Sequence, residues 1–297
     1  MKVAILGTGM IGTDLLVKVH RSPLLECAEF VGRRADSPGI AKAKELGVKC
    51  YTQGIDEFAR LPWGDTFGEH FSKGLMMIAT DARDSRRVET WVGARVEAID
   101  LTPANHPVLC VPAWNIASAA KERLVSMVSC GAQASIPLLT AAWSAMDEPI
   151  EYVEVVSSIA SKSAGPATRA NIEEYIQRTE AAIKMFTGAP KAKAVLILNP
   201  ADPPVGMQTT LRIVPSPNDD SYEAAYLAIH KAAERARQYV PGYEIVFIDW
   251  SAACLTVSVR VKGRGDWLPP YAGNLDIITS AAVALAEAKA RLHGPNP

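Results

Sequence analysis

An apolar run, Lys2–Leu6, ends directly in Gly7-Thr8-Gly9-Met10-Ile11-Gly12, and a helical pattern, Ile11–His20, follows without a spacer. Few folds accommodate a chain that passes so abruptly from strand to helix. The G-x-G-x-x-G spacing in that setting meets three demands. Gly7 permits the tight turn, Gly9 lets backbone approach a pyrophosphate, and Gly12 lets the helix pack close on the strand. The N-terminus of the helix then attracts the phosphates. The loop predicts a dinucleotide site; the plainer alternative is a glycine-rich turn in an α/β protein that binds nothing.

The first third keeps up the alternation. Ala28–Gly32, Leu75–Ala79 and Val96–Asp100 read as further strands, Gly39–Leu46 as a helix, and Asp84–Trp91 as a polar segment between strands. This predicts a doubly wound parallel sheet, the Rossmann arrangement, over residues 1–130. Leu61–Lys73 lacks periodicity and reads as a loop. Beyond about Cys130 the pattern changes. Tyr152–Ile159, Val195–Asn199, Thr209–Val214, Tyr243–Ile248 and Leu255–Val261 read as strands, with helices Ile172–Phe186 and Tyr222–Tyr239 between them. Ile172, Tyr175, Ile176, Ile183 and Phe186 lie at helical spacing and predict an apolar core face. Runs of strands with long connections predict a mixed or antiparallel sheet with helices on one face, an α+β domain over residues 131–274. The alanine-rich helix 275–292 has the option of packing back on the first domain.

A dinucleotide site that prefers NAD places an acid at the end of the second strand, where a carboxylate accepts from the ribose 2′-hydroxyl. Here Arg33 and Arg34 follow Gly32. Two guanidinium groups suit a 2′-phosphate, so NADP is expected ahead of NAD. The alternative leaves both arginines solvated.

Cys130 stands between an apolar approach, Met127-Val128, and a helical stretch, Gln133–Met146, with small residues on both sides. A thiol at a helix N-terminus meets the positive end of the helix dipole, which favours the thiolate. Beside a dinucleotide site, such a thiolate could add to an aldehyde and allow hydride to leave. The competing reading is a buried apolar cysteine. Cys27, Cys50, Cys110 and Cys254 are read as structural. The five cysteines form no C-x-x-C pair and the five histidines are scattered, so neither a disulfide framework nor a metal site is expected. Lys and Arg number 31 against 32 Asp and Glu, which gives no support to nucleic-acid binding. No apolar stretch reaches bilayer length, and the short Met1–Leu6 start does not make a secretory segment, so a cytoplasmic protein is expected.

These residues resemble the acylating, CoA-dependent acetaldehyde dehydrogenases of aromatic meta-cleavage pathways, usually partnered with 4-hydroxy-2-oxovalerate aldolase. The resemblance is carried by Gly7–Leu15, Asp100–Ala104, Val111–Asn115, Met127–Pro137, Ser161–Glu174, Ile197–Pro204 and Leu268–Ala282, in the family's order. It implies a Rossmann domain followed by a catalytic and dimerisation domain, as in glyceraldehyde-phosphate and aspartate-semialdehyde dehydrogenases. It also implies a homodimer, with coenzyme A and a small aldehyde as substrates. It carries the acyl-thioester nucleophile onto Cys130, and nucleotide contacts onto Thr8, Met10 and Ile11, onto Ser163, Ala164, Gly165, Pro166 and Asn171, and onto Asn274. Asn171 could also cap the following helix with Glu174 in a capping-box pair. The backbone N–H groups of Cys130–Ala132 are candidates to steady an oxyanion.

The chain departs from the family pattern in three places. Thr209 stands where the family carries an acid proposed to assist proton transfer, Asp81–Ser85 replaces a small Ser/Thr-rich loop, and the stretch near Ile245–Lys262 is shortened, which bears on the aldolase interface. The rival activities are a phosphorylating or hydrolytic aldehyde dehydrogenase on the same fold, or a dinucleotide-binding partner protein without catalysis.

Overall fold

The structure is a computed structural model that describes residues 1–60, 74–92, 96–104, 106–147, 149–215, 221–251 and 254–294. Leu61–Lys73 lies outside the described residues. The chain divides into two compact units, the first made of Met1–Cys110, Asn115–Met127 and Thr279–Pro297, the second of Val111–Trp114 and Val128–Ile278.

The first unit is built on β1 (Lys2–Leu6), α1 (Met10–Arg21), β2 (Glu26–Val31), α2 (Pro38–Glu45), β3 (Lys49–Tyr51), α3 (Ile55–Arg60), β4 (Leu75–Ile78), α4 (Ala82–Val92), β5 (Glu97–Asp100) and β6 (Leu109–Cys110). A short helix, α5 (Pro112–Ala119, broken at Asn115), and β7 (Leu124–Met127) follow. The sheet is parallel throughout, in the order β3-β2-β1-β4-β5-β7-β6. Val3, Ala4, Ile5 and Leu6 are wholly buried, as a central strand covered on both faces requires.

α4 departs from the sequence expectation of a polar segment. Its sequence, ARDSRRVETWV, is polar on average, with a short apolar stripe of Val88, Trp91 and Val92 at helical spacing, and its inward side buries Asp84, Ser85 and Val88. The Ser85 hydroxyl meets Asp100 Oδ2 at 2.9 Å and His106 Nε2 at 3.0 Å, so hydrogen bonds add to the buried hydrocarbon contact of Val88.

The second unit holds α6 (Cys130–Ala145), β8 (Ile150–Ala160), a single 3-10 turn (Ser161–Ser163), α7 (Pro166–Ala170), α8 (Ile172–Thr187), β9 (Lys191–Asn199), β10 (Met207–Pro215), α9 (Tyr222–Arg237), β11 (Tyr243–Ser251) and β12 (Cys254–Val261). The sheet order is β11-β12-β10-β8-β9, antiparallel except for the β8–β9 pair. Leu138, Leu139, Ile183 and Ile229 join Val155, Leu211 and Val257 in one core, which places α6, α8 and α9 over one face of this sheet. The register puts Ile197 and Phe247 on the opposite face, where each is 45% exposed.

The last helix, α10 (Gly273–His293), contributes its C-terminal part to the first unit. Thr279 donates to the buried Asp14, whose carboxylate also pairs with Lys18. Lys289 is wholly buried, with Nζ 2.8 Å from Glu97 Oε2 and donating to the carbonyls of Ala120 and Glu122. A buried ammonium is tolerable only with such partners. Lys289→Met leaves Glu97 and two carbonyls without it, and is expected to lower stability to urea unfolding by about 3 kcal/mol; an unchanged unfolding midpoint contradicts this.

Candidate active site

In the first unit, the turn after β1 is fixed by sterics. Gly7 has φ +114°, and a Cβ there would lie 2.3 Å from the Ala79 carbonyl oxygen. A Cβ on Gly12 would lie 1.8 Å from the Gly7 carbonyl oxygen, so α1 can pack this close only without a side chain. At Gly9, by contrast, a Cβ would meet nothing within 4 Å, which leaves the backbone open. Gly9 supplies no side-chain cap to α1, so the helix start keeps its donors for an anion. Thr8 is held from α2: the Ser37 hydroxyl lies 3.2 Å from Thr8 Oγ1 while accepting from the Ile40 N–H.

A cavity of about 480 Å³ lies over this turn, lined by Gly7, Thr8, Gly9, Gly32, Arg33, Arg34, Ser37 and Asp81 among others. Thr80, also on its wall, has a buried hydroxyl without a hydrogen-bond partner. Phosphate-sized room, an uncapped helix start and an unsatisfied hydroxyl fit the nucleotide part of a dinucleotide.

Both arginines at the end of β2 are already paired. Arg33 reaches Asp81 at 2.7 Å and Asp84 at 3.0 Å, and Arg34 makes a two-point contact with Asp36 at 3.1 and 3.0 Å. Burial pushes the Asp81 carboxyl up, but the Asp84 N–H and the Arg33 guanidinium outweigh it and hold the group below its usual range. The sequence expectation of two guanidinium groups waiting for a 2′-phosphate is therefore altered: Asp81 and Asp84 share the cavity wall with them, and Asp36 pairs with Arg34.

In the second unit, Cys130 is the first residue of α6. Ser129 is the N-cap, its hydroxyl accepting from the Ala132 N–H at 3.2 Å. The Gly131 N–H donates to the Tyr175 hydroxyl at 3.1 Å, and that hydroxyl lies 3.5 Å from Cys130 Sγ. Of the three N–H groups expected to face an oxyanion, those of Gly131 and Ala132 already have acceptors. Thr179, one turn beyond Tyr175 on α8, donates to the Tyr175 carbonyl at 2.7 Å, so the Ser129 hydroxyl is the donor in its 2.7 Å contact with Thr179.

The sulfur is also less ionised than a helix N-terminus alone suggests. Cys130 is 5% exposed. Burial pushes its thiol up from the ordinary value, against smaller downward pulls from Tyr175, Gly131 N–H and its own N–H. Thr209 is buried and its hydroxyl lies 3.0 Å from Ser157 Oγ.

The other expected contact residues group within the same unit. Ser163 Oγ lies 2.8 Å from the Ala160 carbonyl and 2.7 Å from Asn274 Oδ1, joining the 3-10 turn to the start of α10. Gly165 is the N-cap of α7 and Pro166 its first residue, while Arg169 returns to the carbonyls of Ala164 (3.1 Å) and Ser161 (2.8 Å). Asn171 occupies the N-cap position of α8, but its side chain makes no capping bond, so the expected capping-box pair with Glu174 does not form. Sequence reading missed the parts played by Ser129, Arg169 and Tyr175. Tyr175 was placed on the apolar face of its helix correctly, but only its ring, not its hydroxyl, enters a hydrophobic pattern.

Residues 130–269 match a family model described as prokaryotic acetaldehyde dehydrogenase, dimerisation. The acetaldehyde dehydrogenase of Spirochaeta aurantia is 46% identical, over 98% of this chain and 95% of that protein. That of Pectobacterium atrosepticum is 44% identical, over 97% and 95%. Acetaldehyde dehydrogenase 2 of Salinispora arenicola is 43% identical, over 98% and 96%. Among solved structures, the aspartate semialdehyde dehydrogenase II of Vibrio cholerae is similar with a TM-score of 0.65 and 14% identity over 98% of each chain, which is a likeness of fold.

The open space at Gly9 separates binding from folding. Gly9→Ala is expected to unfold like the parent chain in urea while weakening NADH or NADPH binding about tenfold, read by fluorescence titration, because the added methyl occupies the approach to the phosphates. Unaltered binding contradicts the placement of a dinucleotide on this turn.

Proposed function

The chain belongs to the acetaldehyde dehydrogenase family, and on that premise we propose that it oxidises a small aldehyde and passes the acyl group to coenzyme A through a thioester on Cys130. The observation that carries this reading is the setting of Cys130. It is the first residue of α6, flanked by Ser129 and by Gly131 and Ala132, with a phenol and backbone donors around the sulfur.

The chemistry follows from the thiol. Cys130, as thiolate, attacks the aldehyde carbon and forms a hemithioacetal; loss of hydride from that carbon leaves a thioester on Sγ. A bound nicotinamide dinucleotide supplies the hydride acceptor. Coenzyme A thiolate then displaces the acyl group and returns Cys130 to the thiolate. The first unit's contribution is to hold the dinucleotide, with Gly7, Gly9 and Gly12 shaping the turn, Thr8 lining the cavity, and Met10 and Ile11 opening α1, whose start faces the phosphates. Ser163, Ala164, Gly165, Pro166, Asn171 and Asn274 are proposed as further nucleotide contacts; the buried Ser163–Asn274 bond supports this by giving two of them a fixed geometry. Thr209 is no general base, since a hydroxyl does not ionise near neutral pH and this one is engaged with Ser157.

The same proposal divides the chain into a dinucleotide domain, residues 1–130, and a catalytic and dimerisation domain, residues 131–274. It takes the protein as a homodimer. Ile197 and Phe247, exposed on the sheet face away from the helices, support a second copy seated there. An aldolase partner rests on the family resemblance alone, and the shortened stretch near Ile245–Lys262 favours an enzyme free of it. A cytoplasmic location is supported by five cysteines that remain free thiols. NADP is the proposed cofactor over NAD, and this now rests mainly on Arg34. Its side chain is 74% exposed and bound only to the equally open Asp36, whereas Arg33 is clamped by Asp81 and the buried Asp84.

Two measurements test these statements. Cys130→Ala is expected to lower aldehyde- and CoA-dependent reduction of the cofactor by about a thousandfold or more while dinucleotide binding survives. Turnover that needs phosphate or water but not CoA supports the rival acceptors, and full turnover in the variant removes the nucleophile. Arg34→Ala is expected to lower kcat/KM with NADP about tenfold and leave NAD nearly unchanged, the loss of a charge-assisted phosphate contact. An NAD preference in the parent chain, unmoved by Arg33→Ala or Arg34→Ala, rejects the NADP assignment.

A further inference from the structure

We propose that Tyr175 is the positioning residue of the reactive sulfur: its phenolic hydrogen is donated to Cys130 Sγ, with the Gly131 N–H fixing the direction of that hydroxyl. The proposal rests on the nucleophile reading of Cys130 and adds to it the group that holds the anion.

Donor and acceptor roles follow from counting hydrogens. The Gly131 N–H has one hydrogen and no acceptor capacity, so at 3.1 Å it must donate to the phenol oxygen. The phenol keeps its own hydrogen, for which two acceptors lie in reach, Cys130 Sγ at 3.5 Å and the Ser129 hydroxyl, and an ionised sulfur is the stronger of the two. A neutral thiol is a weak acceptor and a thiolate a strong one, so this contact gains strength when the thiol ionises. The ring is held in place from behind. Thr179 ties the Tyr175 carbonyl to Ser129, the residue before the nucleophile, so one turn of α8 is fixed against the start of α6.

Gly131 is part of the same device. A Cβ at this position would lie 2.5 Å from the Tyr175 hydroxyl and 2.7 Å from Ser157 Oγ. Any larger residue would push the phenol off the sulfur.

Tyr175 acts as donor and not as base. Burial and the adjoining sulfur push its phenol well above the ordinary value of 10, so it stays protonated wherever the enzyme works. The influences on the Cys130 thiol are burial, Tyr175, and the N–H groups of Gly131 and Cys130 itself. Of the elements packed around α6, four present hydroxyls: Ser157 on β8, Thr209 on β10, Thr179 on α8, and Tyr243 at the start of β11, which donates to the Ala134 carbonyl; the fifth, α9, carries His230, Lys231, Glu234, Arg235 and Arg237, none of which is among the influences on the Cys130 thiol. The thiol proton therefore leaves to solvent or a substrate group, and the phenol retains its own throughout.

Tyr175→Phe removes one oxygen. The readout is the pH dependence of Cys130 alkylation by iodoacetamide in the full chain, followed on the Cys130 peptide by mass spectrometry. Loss of a hydrogen bond to an ionised sulfur is expected to raise the midpoint by about one to two pH units, and to slow labelling about ten- to a hundredfold at pH below both midpoints. A fluorinated tyrosine at position 175, a stronger donor of nearly the same shape, is expected to lower the midpoint; this arm decides the matter if Tyr175→Phe misfolds. An unmoved midpoint in the folded Phe variant, or in the fluorinated protein, overturns the proposal. Failure of the underlying reading is separately visible, because full turnover in Cys130→Ala would refute the nucleophile whatever the alkylation profile shows.

Discussion

The first turn of a helix has N–H groups with no partners inside the helix, and at α6 that deficit is met beside a sulfur atom. Ser129 takes the Ala132 N–H and Tyr175 takes that of Gly131. Both acceptors are then anchored through Thr179 on α8. The result is a rigid junction between two helices that lie over one sheet, with Cys130 Sγ at its edge. A carboxylate in either accepting role would oppose the thiolate by like-charge repulsion. Neutral dipoles leave its state to be set by what else enters.

Magnitudes explain why. A helix terminus stabilises an adjacent charge by about 0.3–2 kcal/mol, roughly up to one and a half pKa units. Full burial of an ionisable group moves it by about three to five units in the opposite sense. Burial wins at Cys130, and the thiol sits above its ordinary value. A hydrogen bond to the sulfur, or the arrival of a positive charge, acts against that burial. A buried thiol kept neutral in this way is a poor target for oxidation.

What was legible in the sequence were features whose cause is local. The glycine turn is contiguous, and the close Gly7–Gly12 approach lies within it, although Gly7 is also constrained by the distant Ala79 carbonyl. The parallel sheet, the mixed sheet and the long helices follow from hydrophobic period. α4 was illegible because Ser85, Asp100 and His106 hold it by hydrogen bonds between distant segments. In sequence the two arginines read as open guanidinium groups; Asp36, the partner of Arg34, is only two residues away, whereas the pairing of Arg33 was illegible because Asp81 and Asp84 follow β4, far along the chain. Likewise the Ser163–Asn274 bond and the Tyr175–Cys130 contact join residues far apart in the chain. The thiol's location at a helix start could be read; the extent of its burial could not, because burial is a property of α6, α8, β8 and β10 together.

The central claim is that the acyl group resides on one sulfur between oxidation and transfer. The direct measurement is intact and peptide mass spectrometry of the protein incubated with aldehyde and oxidised cofactor in the absence of coenzyme A. The account predicts one acyl group per chain, confined to the peptide containing Cys130 and cleared when coenzyme A is added, with acyl-CoA released in equal amount. Reduced cofactor formed with no adduct, or an adduct on another residue, would contradict it.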